Sequence, residues 1–451
     1  MKIPSIPGFD QHAFQKYLRN TGWLIMARMG SLFLKMVITA VALPNYLGAE
    51  QNGVLNYPLV LVTFFVAIAA LGMDSFVTRQ LLQKPDRQPI ILGTAFRLRL
   101  AAGFAVLPLI YLTYKLIETF AAQAPAAPLE YVGIVSLICI FQSVNIIDNY
   151  FQARTEGKYI MYVQIGGNLL SAVLKLLLIL MQAPLIWFVW MLAIDVLLLS
   201  IGYIIVYQRK GGKLGEWRFE GATARLLLRY SWPLAFSAFF VSLYMKIDQL
   251  MIDAYLGKVA LGIYTPVVNL SEAWYFVPMA IVISVFPAIM NARRDDPQRY
   301  RRRLQNLYEL MISLGLLVAI VMTFLAPWIY EWFYKPEFHA GAEVLAIHIW
   351  AGIFISLNVA NGQYLIAEGY TGMLFTRSLL GAGINIALNA WWIPQYGMVG
   401  AAYATVVAYA CSAFFVIFVP KTREQGLIML ASLTFMPLIR RMLEIKRNGN
   451  A

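Results

Sequence analysis

The chain has 451 residues, 60% of them apolar and 13% charged, with 36 basic and 23 acidic side chains and a formal charge of +13. A water-soluble globule carries roughly 25% charged residues, so this composition cannot cover a solvated surface and excludes a soluble domain. The surplus of positive charge does not indicate nucleic acid, because the basic residues gather in alternate connections between apolar runs.

Taken in chain order, the apolar runs predict spans near 22–44, 54–73, 90–117, 131–152, 160–181 and 184–208. Six more follow near 229–255, 262–291, 307–332, 342–367, 373–393 and 397–419. Each is long enough to cross about 30 Å of hydrocarbon, and only helices let an open chain do so with its backbone groups satisfied. The predicted fold class is therefore an all-α polytopic membrane protein of about twelve transmembrane helices. The first twenty residues are mixed polar and show no small-residue cleavage pattern, so no cleavable signal peptide is expected. Lys2, Lys16 and Arg19 precede the first span, and Arg79, Lys84 and Arg87 follow the second. The same side then receives Arg154 and Lys158, the cluster from Arg209 to Arg225, the cluster from Arg293 to Arg303, Arg377, and the basic C-terminal tail. Lys and Arg mark the cytoplasmic side, which places both termini there.

The two halves resemble each other. Tyr46-Leu47-Gly48 with Gly53 recurs as Tyr255-Leu256-Gly257 with Gly262, an offset of 209 (257 minus 48). Phe141, Ser143 and Asn145 recur as Phe354, Ser356 and Asn358, and Glu156-Gly157 recurs as Glu368-Gly369. A repeat of six spans brings both halves in from the same side, and a pseudo-two-fold along the membrane normal is expected, with the site in a cavity between lobes. The expected division is an N-terminal lobe 1–208, a basic cytoplasmic linker 209–228, a C-terminal lobe 229–419 and a basic tail 420–451.

Ionisable residues inside spans are the candidate functional groups, since a charge in hydrocarbon is costly. Arg28 and Lys35 lie seven apart on one helix face, about 10 Å along the axis at roughly 1.5 Å per residue. With Lys246 they form a cationic set suited to a lipid pyrophosphate; the structural alternative is snorkelling to the interfaces. Asp248 and Glu272 are the candidates for ion coupling, with pairing to Lys246 as the structural alternative. Asp253 reads as a solvated cap near the outer end, Asp74 and Arg79 as an interfacial pair, Arg97 and Arg99 as interfacial anchors, and Lys175 and Asp195 as an interhelical pair. Cys139 and Cys411 read as small core residues. His12, His339 and His348 are too scattered for a metal site. Gly381-Ala382-Gly383 sits in an apolar helix and reads as close packing, not as a dinucleotide turn. No phosphate-binding loop for ATP is present in the sequence.

In both halves further motifs carry a family resemblance: Leu71-Gly72-Met73-Asp74 with Arg79, Ser231-Trp232-Pro233-Leu234, Lys246-Ile247-Asp248-Gln249, Gly262-Ile263-Tyr264 and Phe286-Pro287. The last are Asn385 to Asn389, Ile393-Pro394, Tyr396-Gly397, Gly400-Ala401-Ala402 and Ala404-Thr405. In this ordered set the chain resembles the Wzx-type oligosaccharide-lipid flippases of the multidrug/oligosaccharidyl-lipid/polysaccharide exporter superfamily. The resemblance implies two six-helix lobes in the cytoplasmic (inner) membrane, moving undecaprenyl-pyrophosphate-linked oligosaccharide outward by alternating access for surface polysaccharide assembly. The expected partners are a lipid-linked anionic oligosaccharide, membrane lipids and polysaccharide polymerase machinery, with no nucleic acid and no cofactor. Because the sequence has no nucleotide motif, any concentrative work is expected to come from a proton or sodium gradient or from downstream consumption of product. The competing readings are an exporter of drugs or other amphiphiles, a membrane polymerase or ligase of the same sugars, and a scaffold.

Overall fold

A computed structural model describes residues 36–121 and 123–434. All regular structure among them is helical. Among the described residues, ten helical stretches are long and apolar enough to cross a membrane. Two of these, Val37–Gln83 and Gly372–Ile417, would extend about 70 Å at roughly 1.5 Å per residue, more than twice the hydrocarbon thickness. Each is broken by a glycine with non-helical backbone, Gly48 in the first and Gly397 in the second. Counting those breaks as boundaries separates the stretches at the limits expected from the sequence, with the first expected span, 22–44, described only from residue 36 onward.

The duplicated motif has a duplicated conformation. Gly48 has φ 78° and ψ 167°, and Gly257 has φ 82° and ψ 178°, a region that a side chain at Cβ disfavours and glycine enters freely. Positive-φ residues also occur in both halves at other chain reversals, Thr155 and Gln182 in the first and Gly369 and Gly397 in the second.

The chain forms two compact units, one running up to Leu47 and from Gln51 to Ser242, the other comprising Gly48–Glu50 and the chain from Leu243 onward. The first is cored by Met73, Val77, Leu92, Ile147, Phe151, Tyr203 and Tyr207. The second is cored by Tyr308, Met311, Ile312, Ile349, Leu357, Ala413 and Met429. Lipid is as apolar as leucine, so packing of close surfaces holds such helices together. A Cβ added to Gly103 would stand 2.4 Å from the Cys139 carbonyl oxygen, and one added to Gly381 would stand 3.2 Å from Ser412 Cβ. Cys139 is buried and both cysteines are free. Outward-facing Phe104, Leu112, Leu176, Leu177, Phe324 and Leu325 are exposed, as lipid contact requires.

Helical structure runs past two of the expected lobe boundaries. The helix expected from 229 begins at Gly221, and the chain before it is pinned to the first unit. The Arg218 N–H donates to the Pro89 carbonyl at 3.2 Å, and Trp217 Nε1 donates to Tyr207 Oη at 3.1 Å. Arg87 Nη2 lies 2.5 Å from Glu220 Oε2, and the Thr223 hydroxyl donates to the same oxygen. These partners hold the Glu220 carboxyl below the usual carboxylate range, the Thr223 hydroxyl first and the Arg87 charge next. Beyond the last span, the helix Arg423–Leu433 packs Met429 into the second core, and Gln425 Nε2 donates to Tyr308 Oη at 2.6 Å.

Candidate functional site

Helix Gly221–Leu256 carries Lys246, Asp248 and Asp253 through apolar surroundings. Asp248 is 1% exposed. Its Oδ1 accepts the Gln249 N–H at 2.8 Å, while Oδ2 accepts the Tyr264 hydroxyl at 2.7 Å and lies 3.4 Å from Thr405 Oγ1. Asn385 Nδ2 reaches Thr405 Oγ1 at 3.5 Å, and Asn389 Nδ2 donates to Asn385 Oδ1 at 2.9 Å. Asn389 Oδ1 is buried without a hydrogen-bond partner. Three helices therefore converge on a carboxylate whose direct hydrogen-bond partners are all neutral. A buried anion without a cation beside it is costly, and the surrounding oxygens form the kind of donor set that holds a small hard cation. A proton on Asp248 would relieve the same cost.

Lys246 lies elsewhere on this helix and meets Glu272, with Nζ 2.8 Å from Oε2 and both side chains about one fifth exposed. Glu272 Oε1, Trp274 Nε1 and Tyr275 Oη are buried without partners. Next to Glu272, Ser271 Oγ lies 2.8 Å from His348 Nδ1, and the His348 ring stands edge-on to Tyr264 at 6.1 Å. A polar seam thus runs from Lys246 to Asp248 inside the second unit. His348 is a packed polar residue within it, and no cluster of three or more metal-type side chains occurs among the described residues.

Of the residues named from sequence, Lys246 and Glu272 are brought together, Asp248 has its own partners, and Arg28 and Lys35 lie outside the described residues. Asp253 is not a solvated cap but 1% exposed. Asp74 pairs with Arg99 at 2.7 Å instead of Arg79, and Arg99 is correspondingly 3% exposed instead of an interfacial anchor. Lys175 does pair with Asp195, at 2.5 Å, with Ser171 Oγ on the other carboxylate oxygen. Arg377, read as a loop cation, lies inside a span, where Nη1 donates to Asn361 Oδ1 at 3.2 Å and Nη2 to the Asn358 carbonyl at 3.1 Å. Tyr264, Asn385, Asn389 and Thr405 entered the sequence reading only as motif residues. Asn385 and Asn389, four apart in an apolar helix and so on one face, were the signal that marks them as site residues.

The polysaccharide biosynthesis protein family model matches residues 17–293, and the chain belongs to that family. A second model, lipid II flippase MurJ, matches residues 249–440. The capsular polysaccharide biosynthesis protein CapF of Staphylococcus aureus is 20% identical over 398 residues, 87% of this chain and 96% of that protein. The uncharacterized membrane protein MJ1375 of Methanocaldococcus jannaschii is 26% identical over 182 residues, 40% of this chain and 42% of that protein. Among solved structures, the inward closed conformation of lipid II flippase MurJ superposes with a TM-score of 0.66 at 14% identity, covering 94% of this chain and 93% of that one. An inward-facing multidrug resistance MATE family transporter gives 0.66 at 11% identity, covering 93% and 99%. The chain is a multi-pass membrane protein with the twelve-helix, two-lobe fold of these transporters.

Proposed function

We propose that the chain is a flippase of the cytoplasmic membrane, moving undecaprenyl-pyrophosphate-linked oligosaccharide repeat units outward by alternating access for cell-surface polysaccharide assembly. The observation that carries this reading is its membership in the polysaccharide biosynthesis family over residues 17–293, with the MurJ flippase model matching most of the remainder. Arg28, Lys35 and Lys246 are the proposed pyrophosphate ligands. Lys246 is one-fifth exposed although paired, so an anion can reach it once Glu272 yields. Asp248, with Tyr264 and Thr405 on its Oδ2, is the proposed site of the coupling proton or sodium ion, and Glu272 the switch partner that releases Lys246. Both termini are cytoplasmic in this reading, 209–228 links lobes 1–208 and 229–419, and 420–451 is the tail. Polymerase machinery on the outer side would consume the product.

Proteoliposomes containing a fluorescent undecaprenyl-pyrophosphoryl oligosaccharide test the proposal, with dithionite quenching to report flipped label. Protein-dependent flipping that quickens under a proton or sodium gradient is expected. The equal likeness to a multidrug resistance transporter supports a second reading, export of amphiphilic cations. Gradient-driven ethidium transport without lipid flipping would replace the first reading with the second.

A further inference from the structure

The first unit holds a polar feature that the transport cycle above does not use. Along the helical stretch Leu129–Ala153, Gln142, Asn145, Asn149 and Gln152 recur at spacings of three and four and so share one face. The helix is tightened there into a 3-10 turn over Gln142–Asn145, a local departure of the kind found at functional positions. Four amides on one face of a membrane span need protein partners or water. They line a cavity of about 670 Å³ together with Asp74, Arg99 and Asp148, a volume in the range that encloses small ligands.

The hydrogen bonds decide what the cavity can take. Asn149 Nδ2 donates at 2.9 Å to the same Asp74 oxygen that receives Arg99 Nη2. Gln152 Nε2 donates to Asp148 Oδ1 at 3.1 Å, and Gln142 Nε2 to the Val66 carbonyl at 3.1 Å. Three of the four amides therefore direct an N–H toward protein oxygens. Asn145 Oδ1, by contrast, is buried and has no hydrogen-bond partner. Two carboxylates against one guanidinium leave the lining net negative. Arg99 Nε is likewise buried without a partner. The cavity therefore offers one unpaired acceptor and one unpaired donor under a net negative charge, which suits a neutral ligand whose hydroxyls both donate and accept and disfavours phosphate and uronate.

We propose that this cavity is the glycan subsite of the first unit, binding neutral, hydroxyl-rich sugar residues of the lipid-linked head group by their edges, apart from the cations that hold the pyrophosphate. The assignment rests on the flippase reading. Sugar selectivity then belongs to Asn145 and Gln152, while Asn149 acts through its hold on Asp74.

The test measures binding to nanodisc-embedded protein of farnesyl pyrophosphate and of its N-acetylglucosamine, galactose and glucuronate conjugates. The neutral conjugates are expected to bind at least 10-fold more tightly than farnesyl pyrophosphate, and the glucuronate conjugate no more tightly. Asn145→Leu, and independently Gln152→Leu at the more exposed end of the stripe, should cut the neutral-sugar gain below 3-fold while leaving farnesyl pyrophosphate affinity unchanged. Farnesyl pyrophosphate binding with no gain from either neutral sugar overturns the subsite and spares the flippase reading. A gain that survives both substitutions places the sugar elsewhere and also overturns it. No binding of any of the four probes removes the flippase reading, and the subsite with it.

Discussion

Lys246 and Glu272 pose a quantitative question, because the proposed cycle needs their bond to be strong enough to hold and weak enough to exchange for a phosphate. At 2.8 Å and an effective dielectric constant of about 20, their attraction is about 6 kcal/mol. Desolvation of both ions opposes most of it, and one-fifth exposure lets water screen the remainder. Removing one partner from a buried pair costs about 3–5 kcal/mol. Partial exposure argues for the lower end, about 3 kcal/mol for Lys246→Met, which strands a carboxylate whose Oε1 already lacks a partner. Glu272→Gln keeps an amide oxygen for the ammonium and should cost about 2 kcal/mol. The double substitution removes both charges and should cost no more than about 2 kcal/mol, leaving a coupling energy of about 3 kcal/mol. Equilibrium unfolding of the four proteins in mixed micelles measures this cycle, and flipping rates in the same set separate stability from transport. Additive losses to within about 0.5 kcal/mol would show that the two groups do not form a coupled pair, and the switch assigned to Glu272 would fall with it.

The remaining expectations concern coupling, packing, pH and orientation. Asp248→Asn should keep the protein folded and still flipping but abolish its dependence on an ion gradient; a gradient response equal to that of the unsubstituted protein moves the coupling site elsewhere. Gly72 has φ +59°, and an added Cβ would lie 2.5 Å from the Ala235 backbone nitrogen, so Gly72→Ala should destabilise by about 2–4 kcal/mol through backbone strain and overpacking; an unchanged unfolding midpoint would contradict that contact. Glu220 has a lowered carboxyl value, so its hold on the connecting segment is full above the ordinary carboxylate range, about pH 4.3, and is lost as pH falls through the depressed value. With Cys139 and Cys411 replaced by serine, a spin label at Gly215→Cys should stay immobile at neutral pH, loosen only in acid, and be mobile throughout in Glu220→Gln. For orientation, Gln123→Cys should react with an impermeant maleimide from outside the cell and Lys213→Cys should not; the reverse pattern inverts the topology.

The spans were legible because a membrane helix announces itself by length and hydropathy, which are local properties. The start of the seventh helix was not: Gly221–Leu256 extends outward through Arg225 and Arg229, whose charge lowers hydropathy without ending a helix. The partners of buried charges were hidden for a different reason. Asp248 takes one hydroxyl from 16 residues away and another from 157, so a reading along the chain finds the costly carboxylate but not what surrounds it. Arg377 follows the same logic, for a lone cation near a span end reads as a loop residue until Asn361 and the Asn358 carbonyl appear beside it. Asp74 was assigned the basic residue nearest in sequence, Arg79, whereas packing delivered Arg99.

Arg377 also shows what duplication has allowed. Asn145 and Asn358 hold equivalent places in the repeated motif, yet the first lines an open cavity while the second is shut beneath a guanidinium seated on its carbonyl and on Asn361. One copy of the repeated helix lines a cavity; the other is closed by an internal arginine. An internal cation occupying the second place frees that half from accommodating a visitor there. The motif is duplicated, but what stands beside it is not: Asn145 faces a cavity and Asn358 a guanidinium.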